Sequence, residues 1–543
     1  MSRMAGLAGS PAEAEIVRPA TAKGLAALRD GLGLSITLAA ILALAAAVLC
    51  YKLTEPFIGH HDYNSAWMSS AARNHLWYGY TATRLAMTEN NDFVPAEWFR
   101  YYTNHPPLVP LFVSFSFRFF GEHEWAARLV PLVFSLGGVV LIYLLGAALG
   151  GRRLGLLSAF VYALLPMNAY FGRIVNFEAT TNFFALATAL AYLRWHRARR
   201  ATPLVLALAA LVVGALCDWP GYYLAGILPL HHIVASGHAR REWKVLFFPL
   251  TAMLVFGLYL GHIFWLKGSE GLSYLASMFL WRTSLYMSPS LEVLGVRADG
   301  FSWIDFLAVE ANRASALFTP LVLILAALSL YDIARRRSGA VLSDPLFIVV
   351  LLLFGTTHLV LFSQGAWDHN YWLFYCSAAL SVLAANGALS LAGSAMDRRV
   401  LGLLGVLFVL AALPRIQALY SHDDPRISPL ALLLKEYTHP GEQVLTNAPV
   451  IYNQAPQLGY YAGRDVSYNP VFQILELERA FATNRRRPYA FLLLEGGQGE
   501  AELGPWLSSR YPSERADFLG KQYLIFHMHP EHSVSMERRE SSR

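Results

Sequence analysis

Long apolar runs alternate with short charged connectors over about the first 420 residues of the chain. The runs fall at about 31–53, 125–149, 154–171, 178–195, 203–217, 221–236, 245–266, 314–331, 345–363, 371–391 and 400–420. A helix needs about 20 apolar residues to cross a bilayer, so the pattern predicts about eleven spans. Residues 106–120 are apolar but short and carry Arg118. They read as a helix lying in the outer interface rather than crossing it. Residues 203–236 read as two short spans broken at Asp218-Trp219-Pro220-Gly221, with Asp218 at the outer tip. Beyond Ser421 the pattern changes. Strand-like runs at Gln443–Thr446, Tyr489–Leu494 and Gln522–His527 surround a helix-like stretch at 471–483, which predicts an α/β domain. At roughly 120 residues it is long enough to bury a core of its own.

Composition agrees with lipid as the solvent. The 543 residues are 55% hydrophobic and 15% charged, with mean hydropathy +0.39, against about 25% charged in soluble chains. Charge then sets the topology. Basic clusters lie in the N-terminal segment (Arg3, Arg18, Lys23, Arg29) and at Arg152-Arg153, Arg194–Arg200, Arg240–Lys244, Arg335–Arg337 and Arg398-Arg399. With the spans above, every cluster falls on one side, which the positive-inside rule makes the cytoplasm. Those segments hold 18 basic and 7 acidic residues, whereas the whole chain nets only +6. The basic balance therefore reports orientation and gives no ground for nucleic-acid binding. The first apolar run is longer than a signal-peptide core, and bulky Leu49 spoils the lipoprotein-like box before Cys50, so it reads as an uncleaved span.

The expected architecture is an all-α polytopic membrane bundle (1–420) followed by an extracytoplasmic α/β domain (421–543). The N-terminus is inside, and the membrane is the inner (plasma) membrane. The outer side receives the first loop, 54–124, a second loop, 267–313, and the C-terminal domain. Cys50, Cys217 and Cys376 all sit in apolar runs, so no disulfide framework is implied.

Several polar residues fall on the outer side. Asp62 closes Gly59-His60-His61-Asp62-Tyr63, just past the first span and before an aromatic stretch (Trp67, Trp77, Tyr78, Tyr80). It reads either as a helix N-cap or as a general base. His60-His61-Asp62 also invites a metal reading, but adjacent side chains rarely converge on one ion. Tyr102 and His105 precede a rigid Pro106-Pro107 and suit either an ordinary loop or a phosphate-binding strip. Glu178 heads the fourth span, where an acid suits the helix dipole or faces the same cavity as Asp62. Arg282 lies in the second outer loop, and His369 and Tyr371 lie at the outer end of the tenth span. Together His105, Arg282 and His369 would suit an anionic headgroup.

An ordered series of motifs resembles a known family. It runs Asn104-His105-Pro106-Pro107-Leu108, Phe120-Gly121-Glu122, Arg128-Leu129, Gly151-Arg152-Arg153, then Pro166 and Arg173 with Glu178 five residues on. Over residues 55–245 the chain resembles the GT-C polyprenyl-phosphate-sugar glycosyltransferases. Within them it is similar to the group holding the dolichyl-phosphate-mannose protein mannosyltransferases and the lipid A aminoarabinose transferases. The resemblance implies a GT-C fold and inverting sugar transfer from a polyprenyl-phosphate donor to a lipid, glycan or protein acceptor. It implies Asp62 as the catalytic base. Tyr102, His105, Glu178, Arg282, His369 and Tyr371 would bind the donor phosphate or substrate. Asp218 stands where several relatives carry Lys. No cofactor is called for, and a divalent metal is left open. The alternative is a lipid or solute transporter or flippase. Transporters place ionisable groups and broken helices at mid-membrane, often in inverted repeats, and most spans here lack mid-span charge.

The topology is directly testable. A cysteine introduced at Ser467 should react with an impermeant maleimide added to intact cells, and one at Ser338 should not. The reverse pattern would overturn the map.

Overall fold

The computed structural model describes residues 36–236, 242–283, 302–335, 342–393, 397–447, 454–468, 471–482, 489–497, 499–518 and 520–528. The N-terminal basic segment, Arg240, Arg241, Arg336, Arg337 and Ser338 lie outside them. Helices occupy the apolar runs: Ile36–Leu49, Glu124–Gly150, Arg152–Leu164, Phe177–Ala198, Ala201–Cys217, Leu224–Ala235, Phe247–Arg282, Pro320–Ala334, Pro345–Leu361, Ser377–Ala392 and Arg398–Tyr420. Among the described residues, four helical stretches are long and apolar enough to cross a membrane alone: Glu124–Gly150, Trp243–Arg282, Asn370–Ala392 and Arg398–Tyr420. A bent pair, Trp303–Phe318 and Pro320–Ala334, would make a fifth. Large apolar side chains point outward from these helices, among them Met253, Leu254, Leu258, Leu403, Val406 and Leu410. An apolar face of that extent needs lipid against it. The chain is a multi-pass membrane protein.

The 203–236 run breaks where its sequence breaks. Ala201–Cys217 ends at Asp218, a 3-10 turn covers Trp219–Tyr222, and Leu224–Ala235 follows. A Cβ on Gly221 would lie 2.2 Å from the Gly214 carbonyl, so glycine is what lets the two segments approach there.

Two stretches expected as loop are helical. Phe247–Arg282 continues past Lys267 through a bend at Gly268, whose φ of 63° favours glycine. Beyond the bend, Leu272, Leu275, Ala276 and Phe279 recur at helical spacing, which keeps this segment helical. Trp303–Phe318 is likewise helical, so Arg313 lies within a helix, and the chain turns by 105° at Thr319 before Pro320.

The first loop folds on itself. Helix Asp62–Tyr78 packs against helix Leu108–Phe120, with a short antiparallel ladder between them: β1 (Met87–Thr88) and β2 (Tyr101–Tyr102), Thr88 opposite Tyr101. Leu108–Phe120 turns Phe115, Phe119 and Phe120 outward.

In the C-terminal part, β3 (Gln443–Thr446), β4 (Asp465–Tyr468), β5 (Tyr489–Leu494), β6 (Ser513–Phe518) and β7 (Lys521–Met528) form one sheet in the order β4-β3-β5-β7-β6. The β4-β3-β5 pairs are parallel, and β7 is antiparallel to both neighbours. The sheet is hydrogen-bonded to the first loop. The buried Asp465 carboxylate accepts from Asn91 N at 2.6 Å and Asn90 Nδ2 at 3.1 Å. The contact is tight: a Cβ on Gly459 would lie 2.6 Å from Asn91 Nδ2.

One buried cation holds the start of that loop. Arg128, fully buried near the head of Glu124–Gly150, donates to the carbonyls of Leu53 (3.0 Å), Glu55 and Pro56 (3.2 Å), and to Asp62 Oδ2 (3.0 Å). Its guanidinium also lies 4.8 Å from the centre of the Phe57 ring. Breaking one side of a buried ion pair costs about 3–5 kcal/mol because the other charge is stranded. Arg128→Met should therefore lower the thermal midpoint of the detergent-solubilised protein well below that of exposed Arg515→Met. Equal midpoints would refute the anchoring role.

Candidate active site

A cavity of about 310 Å³ lies where the first loop, the head of Phe177–Ala198, the end of Phe247–Arg282 and the turn after Asp368 meet. Tyr102, His105, Glu178, Arg282, His369 and Tyr371 all line it. Residues far apart in sequence are thus gathered at one place. Asp62 is not among the lining residues, although its neighbours Tyr63 and Asn64 are. It is the first residue of helix Asp62–Tyr78, and the N-cap is His61, with φ 61°. The Asp62 carboxylate accepts from Gly59 N at 3.1 Å and from Arg128. It therefore does not cap the helix, and its other oxygen, Oδ1, is buried without a hydrogen-bond partner among the described residues.

His105 is the most constrained group in the wall. Its ring is stacked between Tyr102 and Phe177, with interplanar angles of 7° and 12°. The backbone around it is pinned: Tyr259 OH donates to Thr103 O at 2.6 Å, and Trp219 Nε1 donates to Asn104 O at 2.8 Å. Arg282 Nη1 lies 2.9 Å from His105 Nε2, and His105 Nδ1 lies 2.6 Å from Asp218 Oδ1. A guanidinium can only donate, so Nε2 must accept and the proton sits on Nδ1, facing Asp218. Burial favours the neutral ring and outweighs the pull of Asp218, so the His105 pKa lies below the ordinary histidine value. Asp218 also accepts from Tyr375 OH at 3.1 Å and from Trp219 N at 2.7 Å. Asp218 thus has a physical consequence. A carboxylate fixes the His105 tautomer, and the histidine in turn holds Arg282.

His369 stacks on Tyr371 at 5.1 Å and lies edge-on to Trp372 at 5.0 Å. Burial, with Arg282 and His105 nearby, pushes its pKa down to about 3. Its Nδ1 and the Arg282 Nε are both buried without a hydrogen-bond partner. Such groups cost free energy unless a ligand or water meets them.

Sequence reasoning missed Glu89, which lines the same cavity half-buried. It follows β1 directly, and its N–H donates to Arg100 O at 2.8 Å, extending the short ladder. Burial raises its carboxyl pKa, opposed by Arg100, Lys267 and a hydrogen bond with Trp67. Thr88-Glu89-Asn90-Asn91-Asp92 has no motif, and only the fold of the first loop brings it beside Tyr102.

A second space adjoins the first. An apolar groove of about 730 Å³ runs between the 272–280 stretch, Tyr222, Phe256 and the end of Pro345–Leu361. Arg282 lines both spaces. An apolar groove that meets a half-buried cation and a polar cavity is shaped for an amphiphile with an anionic head.

Comparison with solved structures decides the fold. ArnT from Cupriavidus metallidurans, bound to undecaprenyl phosphate, superposes with a TM-score of 0.64 at 14% identity, covering 90% of this chain and 97% of that one. The fold is that of the GT-C glycosyltransferases. The Archaeoglobus fulgidus oligosaccharyltransferase AglB, in complex with an inhibitory peptide and a dolichol-phosphate, gives a TM-score of 0.54 at 12% identity, covering 88% of this chain and 72% of that one. A further structure of the A. fulgidus enzyme, with Zn and sulfate, gives 0.52 at 13% identity over 88% and 71%. Residues 104–265 match the family model for dolichyl-phosphate-mannose-protein mannosyltransferase. No curated protein sequence matches the chain. The matched segment starts at the strip carrying His105 and includes Glu178 and Asp218. The GT-C resemblance read from the motifs is therefore supported by both comparisons.

The Asp218–His105 link yields a coupling test. In a double-mutant cycle with Asp218→Ala and His105→Ala, thermal stabilities should be non-additive by about 0.5–3 kcal/mol, as for residues sharing one hydrogen-bond network. Additive losses would show that the two side chains act independently.

Proposed function

We propose that this protein is an inverting glycosyltransferase that moves a sugar from a polyprenyl phosphate to an acceptor at the outer face of the inner (plasma) membrane. The observation that carries the reading is the shared position of Arg282 at the junction of the apolar groove and the polar cavity. The polyprenyl chain lies in the groove, and its phosphate meets Arg282. His105 holds that guanidinium, and His369, Tyr102 and Tyr371 complete the wall around the head. The likeness to proteins solved with undecaprenyl phosphate and dolichol-phosphate supports this class of donor. With the eleven spans expected from the sequence, the cavity lies on the outer side and the C-terminal domain is extracytoplasmic.

The chemistry follows from the donor. A phosphate leaves readily once a cation neutralises its charge, so the leaving side needs Arg282 more than an acid. The acceptor hydroxyl must lose a proton as it attacks the anomeric carbon, and direct displacement inverts that centre. The base must be a carboxylate within reach. Position in the first loop and the resemblance favour Asp62. The geometry favours Glu89, which lines the cavity with a raised pKa, whereas Asp62 is turned into Arg128. We take Glu89 as the base and Asp62 as the partner that keeps Arg128 buried. The acceptor then approaches from the side of the C-terminal sheet, which is hydrogen-bonded to the residues next to Glu89.

Transfer of labelled sugar from a polyprenyl-phosphate donor separates the two carboxylates. Glu89→Gln should lose about 10²–10⁴-fold in transfer rate, the usual contribution of general acid–base catalysis, with donor binding kept. The base works ionised and its pKa is raised, so the wild-type rate should climb with pH through a limb above the ordinary carboxyl value of 4.5. Asp62→Asn should chiefly lower stability. Full turnover in Glu89→Gln, with loss in a folded Asp62→Asn, would return the role to Asp62.

A further inference from the structure

The C-terminal sheet carries a cluster that sugar transfer does not use. His439 and Glu442 lie on the turn between helix Ile427–Tyr437 and β3, and His527 lies near the end of β7. Their ligand atoms all fall within 4.8 Å of one another, and among the described residues no other trio of His, Cys, Asp or Glu does so. Glu442 Oε1 is 3.1 Å from His527 Nδ1. Two ligands on a tetrahedral zinc with bonds of 2.0–2.1 Å stand about 3.3 Å apart, so this pair is already near metal-ligand spacing.

The burial of the trio fits a cation. The Glu442 side chain is fully buried and that of His527 is 9% exposed, while His439 is exposed. A buried carboxylate needs a positive partner. Its second oxygen, Oε2, accepts from His439 N at 2.6 Å, which fixes the direction of Oε1. Hydrogen bonds of that kind orient metal ligands in general. The exposed edge at His439 provides the path of entry. Two imidazoles and one carboxylate suit a zinc-class ion, whereas magnesium and calcium prefer oxygen ligands throughout.

We propose that His439, Glu442 and His527 bind a zinc-class divalent cation and that the ion fastens the C-terminal sheet to the first loop. The turn holding two of the ligands also makes the contact with that loop: Gly441 N donates to Asp92 Oδ2 at 2.5 Å. Asp92 lies three residues from Glu89 in the cavity wall. An ion bridging the turn to β7 therefore fixes the segment that carries Glu89. The site does not depend on the sugar-transfer reading.

The experiment uses the full-length protein in detergent, stripped with EDTA and titrated with zinc sulfate by calorimetry. Metal content is measured after dialysis, and thermal midpoints are recorded with and without zinc. The wild type should retain one zinc that His439→Ala loses. The affinity of that site should fall by at least about a hundredfold in His439→Ala and Glu442→Gln, since even outer-shell partners of a metal cost 10–100-fold. Zinc should raise the midpoint of the wild type and leave those of the variants in place. His439 is exposed, so its variant stays informative even if Glu442→Gln fails to fold. No stoichiometric zinc in the wild type, or equal retention in His439→Ala, would overturn the proposal.

Discussion

A guanidinium with no access to water is the constraint on which the first loop and the cavity beside it are built. Arg128 emerges from the membrane bundle beneath the first loop, where its charge must be compensated by protein. The chain from Leu53 to Asp62 supplies three carbonyls and one carboxylate, and doing so forces the backbone to curl over the helix head. That curl sets where helix Asp62–Tyr78 begins, and therefore where Tyr63 and Asn64 enter the cavity. The same helix is tied to helix Ala455–Ala462 of the C-terminal part through Arg73, which donates to Tyr460 O at 3.2 Å. A buried pair stabilises little in itself, because the desolvation of both charges offsets their attraction. Its effect is specificity: few backbone paths bring so many acceptors to both terminal nitrogens of Arg128 at once.

The cavity applies the same logic to a mobile partner. Arg282 ends a long helix and lies between an apolar groove and a polar space. A flexible arginine there would spread over many rotamers. The Asp218–His105 relay restricts it, because a neutral His105 with its proton on Nδ1 offers one lone pair, and Arg282 takes it. An acid two contacts away thus orders the cation without neutralising it directly. Placing Asp218 against Arg282 itself would form a closed ion pair and weaken the pull on an anionic head. Separating them by an imidazole keeps the field while fixing the position.

The bundle was legible in the sequence because lipid imposes a simple rule. Apolar runs become helices, and most of these helices begin and end close to the ends of their runs. The motif series likewise pointed to the fold, since Asn104 to Leu108 and Arg173 to Glu178 sit at turns whose geometry the cavity requires. Other features were not legible for definite reasons. Gly268 looked like the end of a span, yet a single positive-φ residue bends the helix and lets it run on to Arg282. The strands β4 and β6 carry mixed polar residues, because they are edge strands with little to bury on one side. Asp62 was read from its place just past the first span. Its direction depends on Arg128, which lies 66 residues away in sequence. Glu89 became visible only once β1 and β2 had paired.

Two carboxylates in one loop can hold opposite roles when their surroundings differ. Asp62 is held in place by a guanidinium and a backbone N–H. Moving it from that place would strand Arg128 in the interior. Glu89 is held apart from that network. It faces the cavity with an indole hydrogen bond and two cations at longer range, and burial leaves its charged form less favoured than in water. Taking a proton relieves that cost and leaves no buried cation behind. On the function proposed above, the loop's conformation rests on Asp62 and its chemistry on Glu89, so a change at one leaves the contacts of the other in place.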